Sequence, residues 1–184
     1  MLIPLIGITG AAALVWLKLK KPAFIMPMAP GTYRLTSPFG VRRDPLPPYK
    51  LQVHPGLDFA AAMGTPVLAA ADGFVLDSGM LGDGSYGNRV LLTHKNGFVS
   101  TYNHMSGVSV RRGATVVAGQ QVGLIGSTGK STGPHLHFEI KKPLLIGKGW
   151  TFYDPAELLP GGRGRSVTWK TGDDSVRIDE GRVG

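Results

Sequence analysis

Residues 89–104, RVLLTHKNGFVSTYNH, predict a β-hairpin. Two runs rich in β-branched and aromatic residues, 89–94 and 98–104, flank a short turn. The turn contains Asn96-Gly97, and these residue types readily adopt the positive φ angles that tight hairpin turns require. The second predicted strand ends at a histidine, His104.

Outward from this hairpin, short β-rich runs alternate with glycine-containing turns from Gly31 to about Lys142, as in segment 121–126. Residues 154–159 fit one short helix, with an aspartate as the N-cap and proline at its first position. This pattern is typical of all-β proteins. We therefore predict a mainly β fold, a compact domain of antiparallel strands.

The 184-residue chain is long enough for one medium domain with an appendage, but too short for two large domains. Hydrophobic residues at 42% and charged residues at 17% indicate a folded protein, and 27 glycines with 14 prolines indicate many turns. The absence of cysteine excludes disulfide scaffolds, cysteine-type zinc fingers and thiol nucleophiles. Any metal ion must therefore be bound by histidines and carboxylates.

A net charge of +8 favours anionic surroundings such as nucleic acid, phospholipid headgroups or acidic cell-wall polymers. The paired arginines at 42–43 and 111–112 are isolated, with no interleaved aromatic residues, and the sequence contains no recognisable nucleic-acid-binding motif. We therefore predict that nucleic acid is not a partner.

Residues 1–17 contain no charged side chain, and Lys18, Lys20 and Lys21 follow directly. A helix of this length covers about 25 Å, near the minimum for a bilayer core. We therefore predict that residues 1–21 form a transmembrane anchor, with a buried core helix as the alternative. The lysines favour a cytoplasmic location for the rest of the chain.

The remaining chain divides into three parts by composition. Residues 22–30 contain three prolines and predict a Pro-rich linker. Residues 31–160 form the predicted β domain. Residues 161–184 are glycine-rich and of mixed charge, which predicts a tail that is flexible or docked on a protein partner.

Four of the five histidines lie in three short patterns, HPGLD at 54–58, YNH at 102–104 and PHLHF at 134–138. Alternate residues of a strand share a face, so His135 and His137 project together, about 6.5 Å apart at their Cα atoms. One of them can bind a metal ion while the other faces substrate.

A bend at Pro55-Gly56 would bring His54 to Asp58, which a straight strand would hold about 13 Å apart. With one histidine of the 134–138 pattern, these residues make a His-Asp-His set. Three such ligands leave the fourth position of zinc to an acidified water, which indicates a catalytic site suited to peptide-bond hydrolysis. His104 and His135 remain for proton transfer and for stabilising the oxyanion.

The arrangement resembles that of LytM or lysostaphin-type zinc metalloendopeptidases, a family that cleaves peptide cross-links in bacterial peptidoglycan. The resemblance covers about residues 36–142. The matching segments are SPFGVR at 37–42, HxGxD at 54–58, GTPV at 64–67, YGN at 86–88, YxHMS at 102–106, GQ at 119–120 and STGPHLHFE at 131–139.

The resemblance implies a LytM-like fold and assigns a role to each site residue. It implies that His54, Asp58 and His137 bind Zn²⁺, and that His104 and His135 are the catalytic pair. The full set is present, which argues against a degenerate relative without activity.

Three further residues have weaker assignments. Some members of the family place a tyrosine shortly before the first zinc histidine to stabilise the oxyanion; Tyr49 is the candidate here, with a surface tyrosine as the alternative. Glu139 shares the strand face of the histidine pair; we expect an exposed cross-strand charge, with orientation of a metal ligand as the alternative. We expect His94 to be structural or solvent-exposed.

We therefore predict a membrane-anchored zinc endopeptidase that hydrolyses stem-peptide or cross-bridge bonds of peptidoglycan. The alternative is a non-cutting cell-wall-binding or structural component of a membrane or virion assembly. A cytoplasmic domain would face the wrong compartment for wall hydrolysis, so we expect the domain in the periplasm, at the cell exterior or in a virion. A phage enzyme for wall entry or lysis would reconcile the anchor with this chemistry.

Overall fold

The computed structural model describes residues 24–44, 48–82, 84–144 and 149–160. The predicted anchor at 1–21 and the predicted tail at 161–184 lie outside these described residues. No helix in the described part of the chain is both long and apolar enough to cross a bilayer.

Antiparallel strands dominate the described chain. In chain order they are β1 (Tyr33–Ser37), β2 (Gly40–Arg43), β3 (Leu51–His54), β4 (Leu57–Ala61), β5 (Pro66–Leu68), β6 (Gly73–Met80), β7 (Asn88–Thr93), β8 (Val99–Met105), β9 (Gly107–Val108), β10 (Thr115–Val116), β11 (Gln121–Leu124), β12 (His135–Pro143) and β13 (Trp150–Tyr153). A short helix, α1 (Pro155–Leu158), follows β13.

The strands form sheets of eight, three and two members. The largest has the order β1-β4-β12-β8-β7-β6-β10, and β13 pairs with β12 beyond the end of β4. The three-stranded sheet has the order β5-β11-β9, and β2 pairs with β3. Every pairing is antiparallel, which confirms the prediction of a mainly β, antiparallel fold.

Strand β12 shows how the hydrophobic core orients the sheet. Its residues Leu136, Phe138 and Ile140 are fully buried and belong to the core. Because side chains alternate along a strand, this burial places His135 and His137 on the opposite face. Other core side chains come from strands throughout the domain, including Phe59, Val67, Val75, Val90, Leu92, Tyr102 and Ile125.

The predicted hairpin is formed by β7 and β8. Gly97 in its turn has a φ of 79°, and Val90 pairs with Tyr102 across the strands. His94 is buried just after β7, where its Nδ1 lies 2.8 Å from the Asp72 carbonyl oxygen and its Nε2 lies 2.8 Å from the Ser100 hydroxyl. Its role is structural, which agrees with the prediction.

The predicted helix is also present. Asp154 caps it, since its carboxylate accepts a hydrogen bond of 2.9 Å from the backbone nitrogen of Ala156, and Pro155 occupies the first turn. Leu159, directly after the helix, is buried in the core.

The predicted linker at 22–30 differs from the structure over its described part, residues 24–30. Phe24 and Met28 are 1% and 2% exposed and lie in the core. The segment also runs beside β5, where the nitrogen of Leu68 donates to the Pro27 carbonyl oxygen at 2.8 Å. Proline favours an extended backbone, and the extended segment 24–30 packs against the domain.

Substituting Phe24 tests this packing. The ring makes edge-on contacts with His94 and Phe98, at centroid distances of 5.2 and 5.9 Å. We expect Phe24→Ala to lower the free energy of unfolding by about 3 kcal/mol, because it leaves a cavity in the core. The neighbouring Ile25 is 37% exposed, so Ile25→Ala should cost less than about 1 kcal/mol. Urea titration of both variants measures the difference, and equal small effects would contradict the packed assignment.

Candidate metal centre and active site

A sharp bend between β3 and β4 brings the first two predicted metal ligands together. His54 is the last residue of β3, and Asp58 is the second residue of β4. Their Nε2 and Oδ1 atoms lie 3.0 Å apart. The bend passes very close to β12: a Cβ atom at Gly56 would overlap the Phe138 carbonyl oxygen and lie 3.1 Å from Cε1 of His137. Glycine is therefore required at this position.

Strand pairing supplies the third predicted ligand. His137 of β12 lies directly opposite Asp58 of β4 in the antiparallel register. Its Nδ1 is 2.8 Å from Asp58 Oδ1 and 2.9 Å from His54 Nε2. All three side chains are buried. Tetrahedral zinc holds its ligand atoms about 3.4 Å apart, so a small outward movement would accommodate the ion.

The hydrogen bonds around this set leave lone pairs pointing at its centre. His54 Nδ1 donates to the Pro38 carbonyl oxygen at 2.7 Å, which leaves Nε2 as the ligand atom. His137 Nε2 donates to Glu139 at 3.1 Å, which leaves Nδ1. These tautomers follow from the hydrogen-bond partners. Three lone pairs that converge in this way repel one another unless a cation lies between them. The three ligand atoms therefore fit Zn²⁺.

The hydrogen bonds within this set also shift the pKa values of Asp58 and His137. Burial acts to raise the pKa of Asp58, but hydrogen bonds from His137 and His54 outweigh it and hold this pKa well below its usual range. Arg42 adds an ion pair to the other carboxylate oxygen at 3.2 Å. Burial acts to lower the pKa of His137, yet the hydrogen bonds to Asp58 and Glu139 raise it to about 9. Without a metal ion, a proton therefore lies between His137 Nδ1 and Asp58, and a bound cation would take its place.

The two predicted catalytic histidines lie beside this set. Their ring centroids are 4.8 Å apart, and His135 Nε2 lies 3.9 Å from Asp58 Oδ1. His104 Nδ1 hydrogen-bonds the Thr128 carbonyl oxygen at 2.9 Å, and His135 Nδ1 hydrogen-bonds that of Gly133 at 2.8 Å. Each ring therefore keeps Nε2 as its proton-accepting atom.

His104 has two unusual properties. Its φ of 64° lies in the left-handed region that few residues other than glycine adopt, and it lies within a register shift between β7 and β8. Burial lowers the pKa of His104 to about 4, against the opposing effect of the hydrogen bond to Thr128. The ring is therefore neutral at pH 7 and able to accept a proton.

The three predicted metal ligands and the two predicted catalytic histidines line one cavity of about 660 Å³. Tyr49 does not line it; its side chain is 54% exposed, on a loop residue with a φ of 57°. This exposure agrees with the surface alternative, and the oxyanion role stays a prediction. Tyr86 lines the cavity instead, with its ring 6.3 Å from that of His137. The only sequence signal for Tyr86 was its YGN motif.

Glu139 corrects a second expectation. The side chain is 1% exposed, not a solvated charge. One carboxylate oxygen accepts from His137, and the other accepts from Lys141 at 2.8 Å. Burial acts to raise the pKa of Glu139, but the Lys141 ammonium and the His137 hydrogen bond hold it at about 2. The shared strand face of Glu139 and the histidine pair was predicted correctly. The burial of Glu139 was not predicted: both faces of β12 are covered, so that six consecutive residues, 136–141, are buried.

Comparison with known proteins agrees with this geometry. A family model described as peptidase family M23 matches residues 52–152. The chain is 45% identical over 108 residues to the DD-carboxypeptidase/endopeptidase Mpg of Neisseria meningitidis, which covers 59% of this chain and 24% of that protein. The chain thus spans about a quarter of that relative.

Two solved structures share the fold. The catalytic domain of the antimicrobial peptidase lysostaphin from Staphylococcus simulans has a TM-score of 0.53 at 36% identity, covering 59% of this chain and 79% of that one. A zinc containing peptidase from Vibrio cholerae has a TM-score of 0.58 at 34% identity, covering 64% of this chain and 36% of that one. The predicted resemblance to lysostaphin-type peptidases is confirmed.

Metal analysis of two histidine variants tests the ligand assignment. We expect the wild-type chain to retain stoichiometric zinc through gel filtration. His54→Ala should lose it, because only two of the three ligands remain. His135→Ala should retain it, because this ring bonds Gly133 and contributes no ligand. Elemental analysis measures both. Zinc retained by His54→Ala, or lost from both variants alike, would contradict the assignment.

Proposed function

The chain belongs to peptidase family M23, and on this premise we propose that it is a zinc endopeptidase that hydrolyses peptide bonds of bacterial peptidoglycan. The observation that carries the proposal is the convergence of three buried ligand atoms beside two further histidines in one cavity. The neutral His104 supplies a proton acceptor next to a cation site, the combination that hydrolysis requires.

In the proposed reaction, His54, Asp58 and His137 hold the metal ion. When bound, zinc acidifies water and polarises the scissile carbonyl. The Nε2 atom of His104 accepts the proton of the attacking water and returns it to the leaving amine. His135, with its ring 4.8 Å away, accepts a hydrogen bond from the attacking water through its Nε2 and so orients that water.

The substrate proposal draws on the cavity and on the relatives. The chain carries a net charge of +8, which suits an anionic wall polymer, and the cavity of about 660 Å³ leaves room for a peptide. The Neisseria relative is named as a DD-carboxypeptidase/endopeptidase, and lysostaphin as an antimicrobial peptidase. These names support a peptide of the bacterial wall, in the stem or in a cross-bridge, as the substrate.

We also propose that residues 1–21 anchor the protein in a membrane, with the peptidase domain outside the cytoplasm or within a virion. The support is the uncharged stretch at 1–17 followed by three lysines within four residues. A phage enzyme that opens the wall during entry or lysis would combine such an anchor with this chemistry. A protein partner for residues 161–184 belongs to the same proposal.

Loss of either catalytic histidine should abolish cleavage without loss of metal. We expect His104→Ala and His135→Ala each to lower the release of new amino ends from purified peptidoglycan by at least about 100-fold, the usual contribution of a positioned acid or base. Lys95→Ala, in the exposed hairpin turn, serves as the control and should match the wild type.

Binding of the chain to peptidoglycan without release of peptide ends, in wild type and His104→Ala alike, would overturn the hydrolase proposal. That result would favour the non-cutting, wall-binding alternative.

Protease accessibility tests the proposed location. In sealed inner-membrane vesicles of either orientation, a tag at the carboxyl end should be digested only where the extracytoplasmic side faces the protease. The reason is that a single span at residues 1–21 fixes the side of the whole domain. Digestion only from the cytoplasmic side, or recovery of the chain in the soluble fraction, would contradict the proposal.

A further inference from the structure

We propose that Lys141 is a positioning residue for the metal site, which acts through Glu139 and is itself held by Trp150 and Phe152 of β13. The inference concerns metal binding, and it goes beyond the proposed hydrolysis because it does not depend on which bond is cleaved.

The first step is the link between Glu139 and the ligand histidine. Oε1 of Glu139 lies 3.1 Å from His137 Nε2, so the carboxylate fixes both the proton and the rotation of that ring. With Nε2 protonated, Nδ1 faces His54 and Asp58 as a lone pair. A change in the orientation of Glu139 would therefore change the direction of a metal ligand.

The second step is the link between Glu139 and Lys141. The ammonium lies 2.8 Å from Oε2, the oxygen that His137 does not use. A carboxylate with one partner can rotate about its terminal bond, but partners on both oxygens hold its plane. His137, Glu139 and Lys141 alternate along β12 and so share one face, with the ligand at one end and the ammonium at the other.

The third step is the way that β13 holds the ammonium. Phe152 is the direct cross-strand partner of Lys141, and Trp150, two residues away, shares its face. The Lys141 nitrogen lies 5.0 Å from the Trp150 ring centroid and 5.2 Å from that of Phe152, within the range of cation–π attraction. Phe152 also lines the cavity, so β13 contacts both the ammonium and the site.

Stability alone is a poor explanation for this pair. The Glu139 and Lys141 side chains are only 1% and 9% exposed, and removing two charges from water costs about as much as their attraction returns. Apolar residues of similar volume would serve packing as well. What they would not provide is the hydrogen bond that orients His137.

The test compares two lysines of the same strand. Lys141→Met removes the buried ammonium, and Lys142→Met makes the same change of charge and length on the opposite face, where Lys142 lies over the Phe98 ring at 4.1 Å. Zinc dissociation constants of the full chain are measured by competition with a chromophoric chelator. We expect Lys141→Met to bind zinc about tenfold more weakly, and Lys142→Met to stay within about twofold of the wild type.

A double-mutant cycle separates positioning from general damage. If Lys141 acts through Glu139, the pair Glu139→Gln and Lys141→Met should bind zinc no more weakly than Glu139→Gln alone. The unfolding temperatures of the metal-free proteins are recorded alongside. Equal zinc affinity in Lys141→Met and Lys142→Met, or effects of Glu139→Gln and Lys141→Met that simply multiply, would overturn the proposal.

Two further variants decide the question if Lys141→Met does not fold. Lys141→Arg keeps the charge and should keep zinc affinity within about threefold, while Trp150→Leu loosens the ammonium and should weaken zinc several-fold. Trp150→Leu with wild-type zinc affinity would overturn the proposal. Since zinc is the readout, failure here is distinct from failure to cleave peptidoglycan.

Discussion

The pairing of β12 with β4 is the constraint on which the site depends. It sets Asp58 directly opposite His137, and the bend after β3 then brings His54 to the same point. A shift of one residue in this register would turn His137 toward the core and bring Phe138 to the metal. Burial of Leu136, Phe138 and Ile140 opposes that shift, so the hydrophobic core determines the position of the ligands.

Much of this could be predicted from the sequence, because its signals were local. The shared face of His135 and His137 follows from strand alternation, and the bend at Pro55-Gly56 follows from the residue types. Burial depends on packing between distant segments, which a single sequence does not reveal. For that reason the exposed charge expected at Glu139 was wrong, and the burial of Phe24 within the predicted linker was not foreseen. The position of Tyr49 depended on loop geometry in the same way.

In each of the four histidines of the site, the partner of one ring nitrogen decides which nitrogen faces the cavity. His54 and His137 present opposite nitrogens to the centre, Nε2 and Nδ1, because one bonds a carbonyl oxygen through Nδ1 and the other a carboxylate through Nε2. His104 and His135 bond carbonyl oxygens of the segment between β11 and β12. Residues 127–134 therefore set the orientation of both histidines that we propose for proton transfer.

The left-handed backbone at His104 has a consequence for engineering. An L-residue with a side chain pays about 1 kcal/mol to adopt this conformation, whereas glycine adopts it freely and asparagine nearly so. A selection for heat tolerance alone would therefore favour replacement of His104, and would enrich stable proteins that lack the proposed proton acceptor. Any such screen on this scaffold must select for turnover in the same round.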